Sequence, residues 1–272
     1  MWVEDRSCLS RKPLRLTTKP STAACTIDFY VRYLLAKPQG SGCCQLSEIL
    51  KTVSHDSINR FLCRERYEPK DLFDERVAQG WIELEGGVVR DDTVLEKPYS
   101  QRGATALLGY FWSRKAAKPV LGVSLVTLYY TCANGLRVPI NDRLYDKADG
   151  KTKNQYFQQM WHQVRQWGLR PRAVTSDTWS AAKANLNCVK NDQTGFWVGI
   201  AKNRQVRLTL EHAYQRVDTL TIPEAGLLVY LKSVGRVKVF CQRFKNGSRR
   251  YYALYLPDSE ALAASTAQDF ER

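Results

Sequence analysis

One stretch constrains this chain more than any other: the apolar, β-branched run Pro119 to Cys132, followed through Asn134-Gly135 by a second run, Leu136 to Tyr145. An Asn-Gly dipeptide between two such runs suits the left-handed backbone of a tight turn, so the pair is predicted to form an antiparallel hairpin. The first run barely alternates between apolar and polar, which predicts a strand covered on both faces. It is too short and too β-branched to cross a membrane, which takes about 18 or more apolar residues. A hairpin buried on both sides needs cover, and its neighbours supply helices.

Lys153 to Trp167 carries Phe157, Met160, Trp161, Val164 and Trp167 along one side and stops at Gly168, the pattern of an amphipathic helix with a glycine after its end. A strand from Arg172 to Asp177, a short helix from Ser180 to Lys190 and a strand from Gly195 to Ala201 follow. Upstream, the pair Gly86-Gly87 opens a strand, Val88 to Leu95, interrupted by two acids. Over residues 83–202 the order β-β-β-α-β-α-β therefore predicts an α/β fold, a mixed sheet covered by helices. Across 203–257 the helical signal fades. Gln205 to Leu210, Gly226 to Leu231, Arg236 to Phe244 and Arg249 to Leu256 read as strands, the last two joined at Asn246-Gly247. This β-rich stretch is expected to be an insertion separate from the α/β unit, with 258–272 returning to it.

The first 80 or so residues differ in kind. Residues 1–25 are basic and lack periodicity, and read as a flexible leader, either a solvated tail or an arm that grips DNA. Residues 26–82 are expected to be a small helical module. Ile27, Tyr30, Val31 and Leu34 share one helical face; Leu46, Ile49, Leu50 and Val53 mark a second helix; Ser54 is placed to cap a third around Ile58 and Leu62; and Asp71 to Gly80 has the acidic start and glycine stop of a fourth. Arg60 and Arg64 on the third are candidate DNA contacts, with a solvated helix face as the alternative.

Charge narrows the function. Lysine and arginine number 41 against 27 acids, a net charge of +14, which points to a polyanionic partner. Seven Trp, fourteen Tyr and nine Phe exclude a disordered chain. The eight cysteines are scattered without a C-x-x-C pair and only three histidines accompany them, so neither a zinc site nor a disulfide framework is expected. The start, Met1-Trp2-Val3-Glu4-Asp5-Arg6, lacks the order of a secretory signal, and a cytoplasmic protein is expected.

Two acids fall at strand ends: Asp92, with Asp91 beside it, and Asp177. If the first and fourth strands are neighbours, their carboxylates project into one crevice and offer hard oxygen ligands to a divalent metal. The alternative is that each faces water or, for Asp177, caps the following turn. In the β-rich stretch Lys202, Arg204, Arg207, Arg236, Lys238, Arg243, Lys245, Arg249 and Arg250 are interleaved with Phe240, Phe244, Tyr251 and Tyr252. Such alternation can set a charged face against a phosphate backbone, or leave basic residues outward on a half-exposed sheet.

The strings DDTVLEKP, KPVLGVSLVTLYYT, LRVPINDRLYDK and AVTSDTW, in this order, resemble bacterial insertion-sequence transposases of the DDE type, the group with a ribonuclease-H-like catalytic core. The resemblance spans about residues 26–272. It implies a ribonuclease-H-like mixed sheet with a β-rich insertion, preceded by a helical DNA-binding module. It further implies an enzyme that binds the terminal inverted repeats of a mobile element, cleaves phosphodiesters with Mg²⁺ (Mn²⁺ as substitute) and joins the ends to target double-stranded DNA, acting as a homodimer on DNA in the bacterial cytoplasm and nucleoid.

Asp92 is carried over as the first catalytic acid and metal ligand, with Asp91 as the alternative, and Asp177 as the second. Lys97 becomes a candidate phosphate contact. The family's third acid lies in a Tyr, two residues, Arg, three residues, Glu, six residues, Lys pattern, and no glutamate here fits it: Glu271 has Ala267 and Ala264 in the Arg and Tyr positions, Glu260 has Leu256 and Ala253, and Glu211 has Arg207 but Arg204 and Asp218 for Tyr and Lys. Ser180 also stands where the family has tyrosine. Ser265 to Arg272 resembles the approach to the missing helix. The expectation is thus a C-terminally truncated transposase, inactive or incomplete by itself, with a catalytically dead, end-binding regulator as the alternative.

Overall fold

The structure, a computed structural model, describes residues 25–37, 42–65, 68–82, 86–132 and 135–270. Residues 1–24 of the expected leader, Asn134 of the hairpin turn and Glu271 lie outside the described residues. The chain divides into two compact units, Met1–Asp71 and Leu72–Arg272.

The smaller unit holds three helices, α1 (Ile27–Ala36), α2 (Cys43–Leu50) and α3 (His55–Arg64). Each starts where the sequence provides a cap or a break. The Thr26 and Ser54 hydroxyls accept the backbone N–H groups of Phe29 and Ser57, three residues on, and α2 follows Gly42. Tyr33, Leu46, Val53, Ile58 and Phe61 pack into one core with Cys25, and the Tyr33 hydroxyl donates to the Gly42 carbonyl at 3.1 Å.

Helix α4 (Pro69–Ala78) was expected to belong with these three, but the division falls within it, at Asp71–Leu72. Its Phe73 is buried in the core of the larger unit and meets Trp167 ring to ring at 5.2 Å. Helical period reports that a face is apolar and is silent on which core receives it.

The larger unit is a mixed α/β assembly around one mixed sheet of eleven strands: β1 (Gly87–Glu96), β2 (Gly109–Ser113), β3 (Lys118–Thr131), β4 (Arg137–Leu144), β5 (Ala173–Ser176), β6 (Gly195–Ile200), β7 (Gln205–Arg207), β8 (Gln215–Arg216), β9 (Leu227–Leu231), β10 (Gly235–Arg243) and β11 (Arg249–Tyr255). The order is β2-β3-β1-β5-β6-β11-β10-β9-β7-β8, with β4 also on β3. Strand β3, the expected fully covered strand, pairs antiparallel with β1, β2 and β4. The parallel pairs are β1 with β5 and β5 with β6.

Between β4 and β5 runs α5 (Lys153–Gln166), and between β5 and β6 runs α6 (Lys183–Asn191). Phe157, Met160, Trp161 and Val164 of α5 and Leu186 and Val189 of α6 share a core with Val88, Val126, Leu128, Tyr130 and Ile140 of the sheet. At the start of β1 the backbone is so close to Tyr130 that a Cβ on Gly86 would sit 2.2 Å from the ring, so only glycine fits there.

The β-rich stretch is not separate from this unit. Strand β11 pairs directly with β6, from Tyr251↔Ile200 to Tyr255↔Phe196, and Val206, Val229, Val237, Val239 and Ala253 join the same core as Val88 and Val198. Strand period was legible in the sequence, whereas the partner taken by the free edge of β6 was not. The last helix, α7 (Ser259–Ala264), buries Leu262 against Phe240 and Leu254. Among the described residues no helix is long and apolar enough to cross a membrane.

Candidate active site and basic surface

Strand parity builds the site. Along β1, Val88 and Arg90 are buried, and Asp92 follows on the same face two residues further, past the point where pairing with β5 ends at Val89↔Thr175. Asp91 takes the opposite face, and its Oδ1 accepts the Asp92 backbone N–H at 2.8 Å. On the parallel neighbour, β5 stops at Ser176 and Asp177 begins a 3-10 turn, Thr178–Ser180. Asp177 is the cap of that turn: its Oδ1 accepts the backbone N–H of Ser180 at 3.2 Å and the Ser180 hydroxyl at 3.1 Å. The capping alternative for Asp177 therefore holds, yet it engages only one carboxylate oxygen.

The other oxygens face cations. Lys153, the first residue of α5, donates to Asp92 Oδ2 at 2.6 Å, and Arg114, after the end of β2, donates to Asp177 Oδ2 at 2.5 Å. Arg90 lies beneath them, 6 % exposed, donating weakly to the Lys153 carbonyl at 3.3 Å and Asn154 Oδ1 at 3.4 Å, with its guanidinium 5.7 Å from the Phe157 ring. Its Nε is buried without a hydrogen-bond partner. Burial pulls the Arg90 guanidinium below its ordinary range, opposed by the charges of Asp92, Asp177 and Asp91. For Arg114 the hydrogen bond to Asp177 dominates and raises it.

Arg90, Asp91, Asp92, Arg114, Lys153 and Ser180 line one open cleft of about 1220 Å³, together with Lys97, Trp112 and Trp179. Sequence reasoning reached Asp91, Asp92, Asp177 and Lys97 and missed Arg90, Arg114 and Lys153. The alternation Val88, Arg90, Asp92 carried a signal for Arg90, since every second residue of a strand shares a face. Arg114 and Lys153 are brought in by tertiary folding and left none.

Asp92 lies within β1, which runs on to Glu96 against β3, and not at a strand end as expected, whereas Asp177 directly follows β5. As donors, two carboxylates carried by neighbouring strands suit a hard divalent cation, and each already attracts a positive charge. Among the described residues no group of three or more His, Cys, Asp or Glu is disposed to hold a metal ion. Asp92 and Asp177 thus fit such an ion in chemistry and offer it two ligand side chains.

The candidate DNA contacts separate into distinct places. Arg60 and Arg64 lie exposed on α3, one helical turn apart in the smaller unit. Arg243, Lys245, Arg249 and Arg250 gather at the exposed tip of the β10–β11 hairpin, where Arg243 pairs directly with Arg249 and Arg250 stands 5.0 Å from the Phe244 ring. Like charges opposite one another in a sheet repel, so an anion bound at this tip would relieve that repulsion. Lys202 is exposed, and Arg204 is half-buried with one terminal nitrogen buried and unpaired. Lys238 turns inward instead: it is 6 % exposed and donates to the carbonyls of Ala263 and Ser265 at 2.6 and 2.8 Å, at the end of α7.

No protein-family model matches this chain, and no curated protein matches it. The site's chemistry rests on its own residues.

Proposed function

We propose that the larger unit is the catalytic core of a DDE-type DNA transposase, with Asp92 and Asp177 as its first and second acids. The observation that carries this reading is their placement on parallel neighbours: both acids lie past the last pair of β1 with β5, Val89↔Thr175, and each holds a cation that lines one cleft. The strand order β4-β3-β1-β5-β6, antiparallel as far as β1 and parallel beyond it, with α5 and α6 as the crossing helices, supports a ribonuclease-H-like core.

Asp92 and Asp177 are the residues that would hold Mg²⁺ or Mn²⁺, an ion that polarises a phosphodiester and makes water a better nucleophile when bound. Arg90 keeps positive charge near both carboxylates, which lowers their mutual repulsion. Arg114 and Lys97 offer cationic groups to phosphate at the mouth of the cleft, and the β10–β11 tip extends the basic surface. The double-stranded partner is the end of a mobile element, and a homodimer on DNA would pair two ends.

The test is nicking of end-containing duplex with Mg²⁺ or Mn²⁺. Asp177→Asn should abolish it while keeping the turn's cap, because asparagine also accepts the Ser180 N–H. Nicking at the same rate in that variant would refute the assignment.

One observation favours a second reading. Both acids are satisfied by the protein's own cations, and no glutamate fits the third position. A binding protein that occupies element ends without cutting them would show salt-dependent, end-selective DNA binding and no nicking with either metal.

A further inference from the structure

We propose that the exposed aromatic face of β2, together with Trp179, is a stacking platform for unpaired bases of a DNA strand entering the cleft. This deepens the nucleic-acid reading above and rests on it. Along β2, Tyr110 and Trp112 share one face and are 55 % and 63 % exposed, while Phe111, on the other face, meets the ring of Tyr145 at 6.1 Å. Trp179 is 85 % exposed. The register sets Trp112 on the sheet face of Asp91, and Phe111 on that of Asp92. Trp112 and Trp179 both line the cleft that Asp91 and Asp92 line, alongside Lys97, Arg114 and Lys115. Two tryptophans left in water at one cleft forgo large apolar burial, which contact with a flat apolar partner would restore.

Both are held firmly. Trp179 sits in the turn capped by Asp177, and the next residue, Ser180, is buried with its carbonyl accepting from Asn185 Nδ2 at 3.0 Å. Trp112 belongs to a strand paired with β3, and its neighbour Ser113 is buried and donates to Glu96 at 3.0 Å. The turn and the strand therefore fix the backbone that presents the rings, which leaves only side-chain rotamers to be ordered on binding. The chemistry around them selects the partner. Aromatic faces interleaved with exposed lysine and arginine match the alternation of base and phosphate in a single strand. Rings two residues apart on a strand are about 6.6 Å apart, roughly twice the 3.4 Å rise of stacked bases, so they suit a strand whose bases are splayed rather than a closed duplex.

The experiment measures binding of the full chain, in EDTA, to three labelled probes by fluorescence anisotropy: a single strand, the same strand with abasic sites, and its duplex. The intact chain should bind the abasic strand more weakly than the strand with bases. Trp112→Ala and Trp179→Ala should each lower single-strand affinity by about 5- to 150-fold, the loss of one base–aromatic stack, and change duplex affinity less than about twofold. Trp112→Phe should keep most of the affinity. Because both side chains are exposed, an unchanged melting temperature will confirm that the variants are folded.

Equal binding of the strand with and without bases, or single-strand affinity unchanged in both alanine variants, would overturn the platform and leave the DNA reading standing. Failure to bind any of the probes in a salt-dependent way would overturn both. A dimer that dissociates on Trp112→Ala, with no change toward the single strand, would assign the face to a second copy of this chain and overturn the proposal.

Discussion

Lys238 and the arginine pair of the β10–β11 tip lie on the same strands, yet the structure gives them opposite work, and exchanging them for neutral residues separates the two. The Lys238 ammonium makes two charge-assisted hydrogen bonds, to Ala263 and Ser265, each worth about 1.5–3 kcal/mol net. Lys238→Met removes both. Three effects reduce the loss. The methionine keeps most of the stem's packing, no ammonium need be desolvated, and the freed carbonyls can take water because Ala263 is exposed and Ser265 only half-buried.

The remainder is about 2 kcal/mol, or roughly 4–8 °C in melting temperature for a unit of this size. Six of the seven tryptophans fall after residue 72, so denaturant unfolding followed by their fluorescence reads the larger unit. DNA affinity should stay within about twofold, since this ammonium is buried against carbonyls. The Arg243→Ala, Arg249→Ala double variant should do the reverse. Its stability should hold or rise, because a facing like-charge pair is removed. The slope of log affinity against log salt should fall by about 1.8, at about 0.9 per phosphate contact. A shallower salt slope in Lys238→Met, or no loss of stability there, would refute the division of roles.

Asp177→Asn should unfold at the same temperature as the intact chain, whereas Asp177→Ala should lose about 1 kcal/mol with the cap, both read by thermal melts. Gly86→Ala places a Cβ 2.2 Å from the fully buried Tyr130 ring, and denaturant unfolding should show a loss of about 1–3 kcal/mol; an unchanged midpoint would mean that the ring moves freely. Burial, with a smaller push from Asp192, raises the Cys188 thiol from 9.0 to about 11. Between those values the folded state holds a proton that the unfolded state has released. Its contribution is therefore complete below pH 9 and lost as pH rises toward 11. Stability measured across that window should fall less steeply in Cys188→Ala.

The local patterns in the chain were readable because each rests on contacts within a few residues. The Ser54 cap, the glycine stops after α4 and α5, and the strand parity of β1 all follow from backbone chemistry at short range. Short elements escaped: β2 is five residues and β8 two, too few for a period to register. Long-range pairing escaped for a different reason. A strand's sequence records which faces are covered, and β6 and β11 would look the same whether paired or in separate sheets.

The candidate site shows the same boundary between near and far. Asp92 and Asp177 were visible because an acid that interrupts or follows an apolar strand contradicts its surroundings, although β1 runs on past Asp92 to Glu96. Their cations were hidden, because Arg114 and Lys153 lie 63 and 61 residues from the acids they hold, and exposed lysines and arginines are common in a chain of net charge +14. Lys238 is the converse error of pattern: its basic and aromatic neighbours invited a phosphate reading, while the nearby α7 carbonyls needed a donor and took it inward. Where a charged side chain points is decided by the unpaired groups that the fold brings within its reach, and those partners come from elsewhere in the sequence.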